Sequence, residues 1–169
     1  MLDKQVAALA ERPAYREAVG RLRCLRGIET LTAVTLITEV FEFGRFDSPR
    51  KLMAFLGLVP SEHSSGEKRC PGAITKTGNK RVRRLLIESA WHYRHGVSVG
   101  KTLQQRRAGQ PPWAIAIADR AMLRLHQRYR RLQARGKSPN VVIVAVAREL
   151  AGFIWALLRA DESGGLERA

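Results

Sequence analysis

Cysteine is scarce in this chain. Two of 169 residues are cysteine, Cys24 and Cys70, far apart and without a companion pair. Neither a disulfide framework nor a four-ligand zinc site is expected, and two reduced thiols suit a cytoplasmic protein. Acid is also scarce, with 15 Asp and Glu against 30 Lys and Arg, a formal net charge of +15. The acids are scattered (Glu29, Glu39, Glu42, Asp47, Glu62, Glu67, Glu88, Asp119, Glu149), and no pair has metal-motif spacing. Cleavage by paired metal ions needs clustered carboxylates, so this chain is expected to hold no such centre. No G-x-S-x-G elbow and no Asp-His-Ser arrangement occurs. No unbroken apolar run reaches the ~18 residues of a membrane span, so none is expected. The first 19 residues alternate charge and alanine without an apolar stretch, which excludes a secretory signal.

What remains is one packed domain with an unbalanced charge. Hydrophobic residues make up 45% and charged residues 27%, so a core is expected and wholesale disorder is not. The excess charge lies in the middle: residues 1–44 are neutral, 45–107 carry +10 and 108–169 carry +5. Between Lys68 and Arg84 stand Lys68, Arg69, Lys76, Lys80, Arg81, Arg83 and Arg84, with no acid among them. A solvated face normally mixes both signs, so this stretch points to a polyanion, with nucleic acid the leading class.

Periodicity gives a mainly helical fold: a helix-hairpin-helix, an irregular basic loop with a possible short β-hairpin, and three further helices. Residues 1–22 read as an arm or linker helix that restarts at Pro13, outside the core. A second helix carries Ala33, Leu36, Ile37, Val40 and Phe41 as its apolar face. Gly27 marks the turn between them, and residues 23–43 form the hairpin unit. Ser48 and Pro49 begin a short helix that Gly57 closes. Residues 58–77 read as loop, with any hairpin turning at Cys70-Pro71-Gly72. A strong helix from Asn79 to about His95 buries Val82, Leu85, Leu86, Ser89, Ala90 and Tyr93, with Lys80, Arg81 and Arg84 off that stripe. Trp113 to about Arg135 is another helix, and Ser138-Pro139 starts the last, with Val146, Leu150, Phe153, Ile154 and Leu157 on one face. The main domain is expected over 23–160 and a tail over 161–169.

Four features invite chemistry. The Gly27 turn, of the form L-x-G-I-x-x-x-T, presents a helix N-terminus that suits phosphate, with Arg23 and Arg26 beside it. Glu29 stands where such hairpins usually have a second glycine, and it opposes an anion; a plain packing hairpin is the competing reading. The segment Pro60-Ser61-Glu62-His63-Ser64-Ser65-Gly66-Glu67-Lys68-Arg69 combines hydroxyls, a glycine and cations. A serine there can be a nucleophile, but residue types alone favour an ordinary polar turn. His92 and His95, three apart on one helix, read as a solvated or core pair. Trp91, Trp113 and Trp155 read as packing residues, with base stacking open for Trp91.

The order of motifs carries more. Gly27-Ile28 is followed by F-x-S-x-x-x-L-x-x-x-x-G-L-x-P over 46–60, then Ser64-Ser65-Gly66, then I-x-K-x-G-N over 74–79, then R-x-L-x-x-x-A over 84–90. Over about residues 23–95 this resembles the C-terminal domain of the insertion sequence 110/116/902 transposase family, which includes relatives of the pilin-gene DNA invertases. The resemblance implies a recombinase guided by a bridge RNA. It also implies a composite active site, in which a RuvC-like domain with four acidic residues binds Mg²⁺ and the C-terminal domain supplies a serine that bonds covalently to DNA. Carried onto this chain, the nucleophile is Ser65, with Ser64 the second choice. Lys76, Gly78 and Asn79 match the helix-start motif. Lys68, Arg69, Lys76, Gly78, Asn79, Lys80, Arg81 and Arg84, with Arg26 and Gly27 at the hairpin, are the implied nucleic-acid contacts. Cations near the serine would hold the charge that develops on an attacked phosphate.

The RuvC-like carboxylates are not in this sequence, so no cofactor is expected to bind this chain itself. Mg²⁺, the RuvC-like domain, DNA, bridge RNA and a second copy are the implied partners, in a prokaryotic, nucleoid-associated setting without a membrane. The chain is then expected to be a truncated, split or separately encoded part that binds nucleic acid but does not transpose alone. A non-catalytic nucleic-acid-binding remnant or domesticated fragment is the alternative.

Overall fold

The computed structural model describes the backbone of residues 2–65 and 68–159, with side chains over 4–61 and 72–159. The elements in chain order are α1 (Leu2–Ala10), α2 (Pro13–Leu22), α3 (Thr30–Val40), α4 (Pro49–Phe55), β1 (Pro60–Ser65), β2 (Lys68–Ile74), α5 (Lys80–Ala90), α6 (Lys101–Arg107), α7 (Pro112–Ala134) and α8 (Pro139–Arg159). Single 3₁₀ turns cover Phe43–Arg45 and Trp91–Arg94. The fold is mainly helical, as the periodicity implied, with one small antiparallel ladder.

The hub is α8. It packs against α4, α5, α7 and α2, and it buries Val142, Ile143, Val146, Ala147, Leu150, Ala151, Ile154 and Leu157. Leu150, Val146, Ile154 and Leu157 were expected on one face; Phe153 is only half-buried. By length and composition alone α8 is apolar enough to cross a membrane, although charged residues interrupt its apolar run. Its surroundings explain the apolarity. A helix enclosed by other helices is hydrophobic on more than one side. The single acid in it, Glu149, is engaged by Arg124 at 3.0 Å and Arg128 at 3.1 Å.

The N-terminal segment is not an arm outside the core. Ala10, Val19 and Leu22 are buried in the same apolar cluster as α8, and α1 and α2 both pack on α3. Alanine-rich helices look featureless in sequence because small residues bury little area each, yet they permit close helix approach.

Phe41 also departs from expectation. It does not join the buried face of α3 but is 84% exposed, at φ +64°. The Glu42 amide donates to the Val40 carbonyl at 2.9 Å around it, so Phe41 is the centre of a γ-turn that ends the helix.

The basic segment holds the short β-hairpin that the sequence allowed, β1 with β2, but its turn is not at Cys70-Pro71-Gly72. Ser65 pairs with Lys68, Ser64 with Arg69, His63 with Cys70 and Glu62 with Pro71, which places Pro71 and Gly72 inside β2. The register shifts between Pro60 and Glu62, a bulge beside Pro71-Gly72. Proline donates no ladder bond and glycine accepts unusual backbone angles, so the pair reads equally as a bulge or a turn until the partner strand is known.

Candidate functional site

The hairpin stands on a rigid base made from the two ends of the family-like motifs. Gly57 (φ +67°) and Gly78 (φ +74°) lie at its feet. A Cβ on Gly78 would overlap the Phe55 carbonyl oxygen, and one on Gly57 would overlap the Thr77 carbonyl oxygen. Both positions therefore need glycine, for backbone angle and for space. The amides of Thr75 and Lys76 donate to the Val59 and Gly57 carbonyls at 3.0 and 3.1 Å. Arg83, buried on α5, closes the base: its Nη1 donates to the carbonyls of Leu56 at 3.0 Å and Thr77 at 2.9 Å. Ser61 Oγ donates to the Ala73 carbonyl at 2.7 Å across the bulge.

On this base β1 carries Ser64 and Ser65 opposite Arg69 and Lys68 of β2. The backbone register alone sets this juxtaposition of two serines and two cationic residues. Gly66, between the strands, lies outside the described residues.

Within the chain, the helix-start motif holds the beginning of α5. Asn79 caps α5, its side-chain oxygen accepting from the Val82 amide at 3.0 Å. Its Nδ2 donates to Glu39 Oε2 at 2.7 Å. Lys76 is exposed, in the left-handed region at φ +56°, where the chain turns from β2 toward α5.

Lys80, Arg81 and Arg84 are exposed on the first turns of α5, as expected. The basic run is less unopposed in space than in sequence, however. Arg81 lies 3.5 Å from Glu39, and Arg84 bonds Glu88 at 2.8 Å. Exposed ion pairs of this kind are worth well under ~1 kcal/mol and yield readily to a phosphate. Arg83 is different, because it is buried and committed to carbonyls.

The Gly27 turn is filled by the protein's own arginines. Arg26 donates to the carbonyls of His95 at 3.3 Å, Gly96 at 3.0 Å and Ser98, latching the segment after α5. Arg106 pairs with Glu29, which occupies the N-cap of α3, and Arg107 donates to the Cys24 carbonyl at 3.1 Å and to Asp119 at 2.7 Å. A Cβ on Gly27 (φ +81°) would come within 2.6 Å of the Ser89 carbonyl oxygen. The glycine thus serves close packing of the hairpin on α5. Burial pushes the Cys24 thiol above its usual range. The three tryptophans are partly buried against the core, and Arg21, Arg94 and Arg159 lie over Trp113, Trp91 and Trp155 at 5.1, 5.9 and 5.6 Å from the ring centres.

Among the described residues no three His, Cys, Asp or Glu side chains converge.

One feature escaped the sequence reading. Arg120, Arg124, Arg128 and Arg131 recur every three or four residues, so they share one face of α7, and Arg135 follows at its C-cap. That spacing is legible in sequence, although the cations are denser over 68–84.

The sequence profile of the Transposase IS116/IS110/IS902 family matches residues 19–104, half of the chain. The chain belongs to that family. A protein of Sinorhizobium fredii named as transposase y4qE is 48% identical over 94% of this chain and 41% of its own length. The transposase for insertion sequence element IS1533 of Leptospira borgpetersenii is 36% identical over 80% of this chain and 40% of its own. The transposase for IS1111A of Coxiella burnetii is 30% identical over 95% and 37%. The chain therefore spans about two-fifths of the length of these relatives. The matched region contains the hairpin, its clamped base and α5.

Proposed function

We propose that this chain is the part of an insertion-sequence transposase that binds DNA and contributes a serine nucleophile to strand exchange. The observation that carries this reading is the register of the hairpin, which sets Ser64 and Ser65 across from Arg69 and Lys68 on a base held by Gly57, Gly78 and Arg83. Ser65 is the nucleophile and Ser64 the alternative. The serine Oγ loses its proton and bonds the phosphorus of a phosphodiester. One phosphorus–oxygen bond to deoxyribose breaks, and the freed sugar oxygen takes up a proton. The phosphoserine ester keeps the energy of the broken bond, so a second strand's hydroxyl can displace the serine without ATP. Lys68, Arg69 and Lys76 hold the charge that develops on the phosphate. Lys80, Arg81 and Arg84 bind neighbouring phosphates, with Arg81 and Arg84 leaving Glu39 and Glu88 to do so.

Mg²⁺ belongs in this reading to a RuvC-like domain outside the chain, and a bridge RNA supplies sequence choice. The chain alone then binds DNA without exchanging strands.

The test combines this chain with the RuvC-like domain, Mg²⁺, guide RNA and target DNA on a denaturing gel. A protein–DNA adduct is expected that disappears in Ser65→Ala. An adduct that persists in both Ser65→Ala and Ser64→Ala rejects the serine. Salt-dependent DNA binding with no adduct under any complementation leaves a binding module only.

A further inference from the structure

A groove of about 610 Å³ opens between the base of the hairpin, α7 and the start of α8. Its floor is apolar, with Leu58, Ile74, Val141 and Val144 among its lining, and Val141 is 56% exposed. Its rim is cationic, with Lys76, Arg128, Lys137 and Arg148. Among the described residues no acid lines it; Glu149 lies one residue beyond Arg148 and is already engaged by Arg124 and Arg128.

At Arg128 the groove meets a second depression along α7, of about 570 Å³, lined by Arg124, Arg128, Arg130 and Arg131. The arginine face from Arg120 to Arg131 extends this cationic line over about 16 Å of helix. Arg131 and Lys137 are exposed and have no ion pair among the described residues.

We infer that this groove holds an unpaired nucleic-acid strand, its phosphates on the cations and its bases against the apolar floor. The inference rests on the nucleic-acid reading above but concerns a different surface from the exposed face of α5. Charge complementarity selects a polyanion, because a line of cations continues well past the apolar floor. The floor selects an unpaired strand. A duplex keeps its bases stacked inside and offers a groove mainly phosphates and sugars, whereas an unpaired strand exposes base faces that gain from apolar contact. An acidic amphipathic helix would need the floor but not the further arginines.

The full chain would be titrated with a fluorescent single-stranded oligonucleotide and with the corresponding duplex, by anisotropy at several salt concentrations. The variants are Arg131→Glu with Lys137→Glu, Val141→Glu alone, and Lys80→Glu with Arg84→Glu on α5. All sites are exposed, and circular dichroism melts check that each variant folds.

The groove variants should lose about tenfold or more in single-strand affinity and flatten its salt dependence, while duplex affinity changes little. The α5 variant should do the reverse. Groove variants that leave single-strand binding intact, or weaken duplex binding equally, overturn the inference and leave the reading of α5 standing. Duplex binding that is absent or indifferent to the α5 variant overturns that reading instead, while groove-dependent single-strand binding would survive it. Groove variants that spare single-strand affinity but break association with the rest of the transposase would assign the groove to protein, and would also overturn the inference.

Discussion

Gly78 faces the carbonyl of Phe55 with no room for a side chain between them. This contact joins the end of α4 to the start of α5 and sets the feet of the hairpin. Gly78→Ala should cost at least about 2 kcal/mol, from the left-handed backbone and the forced separation of the two segments. Urea unfolding would show it as a lower midpoint. Gly96→Ala, where nothing lies within 4 Å, should stay within about 0.5 kcal/mol of the parent. Equal effects at the two sites would reject the close-approach account.

Arg83 holds the same base from inside. Arg83→Met removes the bonds to the Leu56 and Thr77 carbonyls and should destabilise the chain by about 3 kcal/mol. Arg83→Lys keeps a cation and should cost less. DNA affinity at a temperature where both remain folded should barely move, since this guanidinium is largely buried and holds the Leu56 and Thr77 carbonyls. A large loss of affinity without loss of stability would make Arg83 a contact residue after all.

Phe41 places an exposed side chain on a strained γ-turn. Phe41→Gly should stabilise the isolated chain by about 1 kcal/mol, because it relieves strain and sacrifices little packing. A thermal melt that falls instead would mean the ring is held by contacts.

Tyr93 is fully buried, and its hydroxyl has no hydrogen-bond partner among the described residues. Tyr93→Phe deletes a desolvated polar atom while keeping the ring, and should be neutral or stabilising by about 1 kcal/mol. A comparable loss in chemical denaturation would show that the hydroxyl is satisfied in solution.

Cys24 is buried, its thiol raised from an ordinary 9.0 mainly by desolvation. The sign follows directly. The folded state binds the proton more tightly than the unfolded state, so this contribution is full below the unfolded value and is lost as pH rises through the folded one. In a Cys70→Ser background, a thiol reagent at pH 8 should label Cys24 far more slowly in native buffer than in urea. Similar rates would place the thiol at the surface.

Several of these relationships could not be read from the chain alone. The α5 stripe was legible because Val82, Leu86, Ser89, Ala90 and Tyr93 recur at helical spacing and are buried, while Leu85, expected with them, is only half-buried. The hairpin was half legible. Pro71-Gly72 announces a break in regular pairing, but only the opposite strand decides between turn and bulge. The arginines divide in the same way. Sequence marks Arg81, Arg83 and Arg84 alike, whereas packing buries Arg83 and leaves the other two outside, each beside an acid.

By itself, then, the sequence determined the helical class, the family and the excess of positive charge. These are properties of composition and local spacing, which act within a few residues along the chain. Tertiary structure decided which cations are structural and which face solvent, because burial depends on partners distant in sequence: Leu56 for Arg83, Cys24 for Arg107, Ser98 for Arg26. It also decided that Ser64 and Ser65 stand opposite Arg69 and Lys68, since strand register is fixed by pairing and by the base that holds the strands.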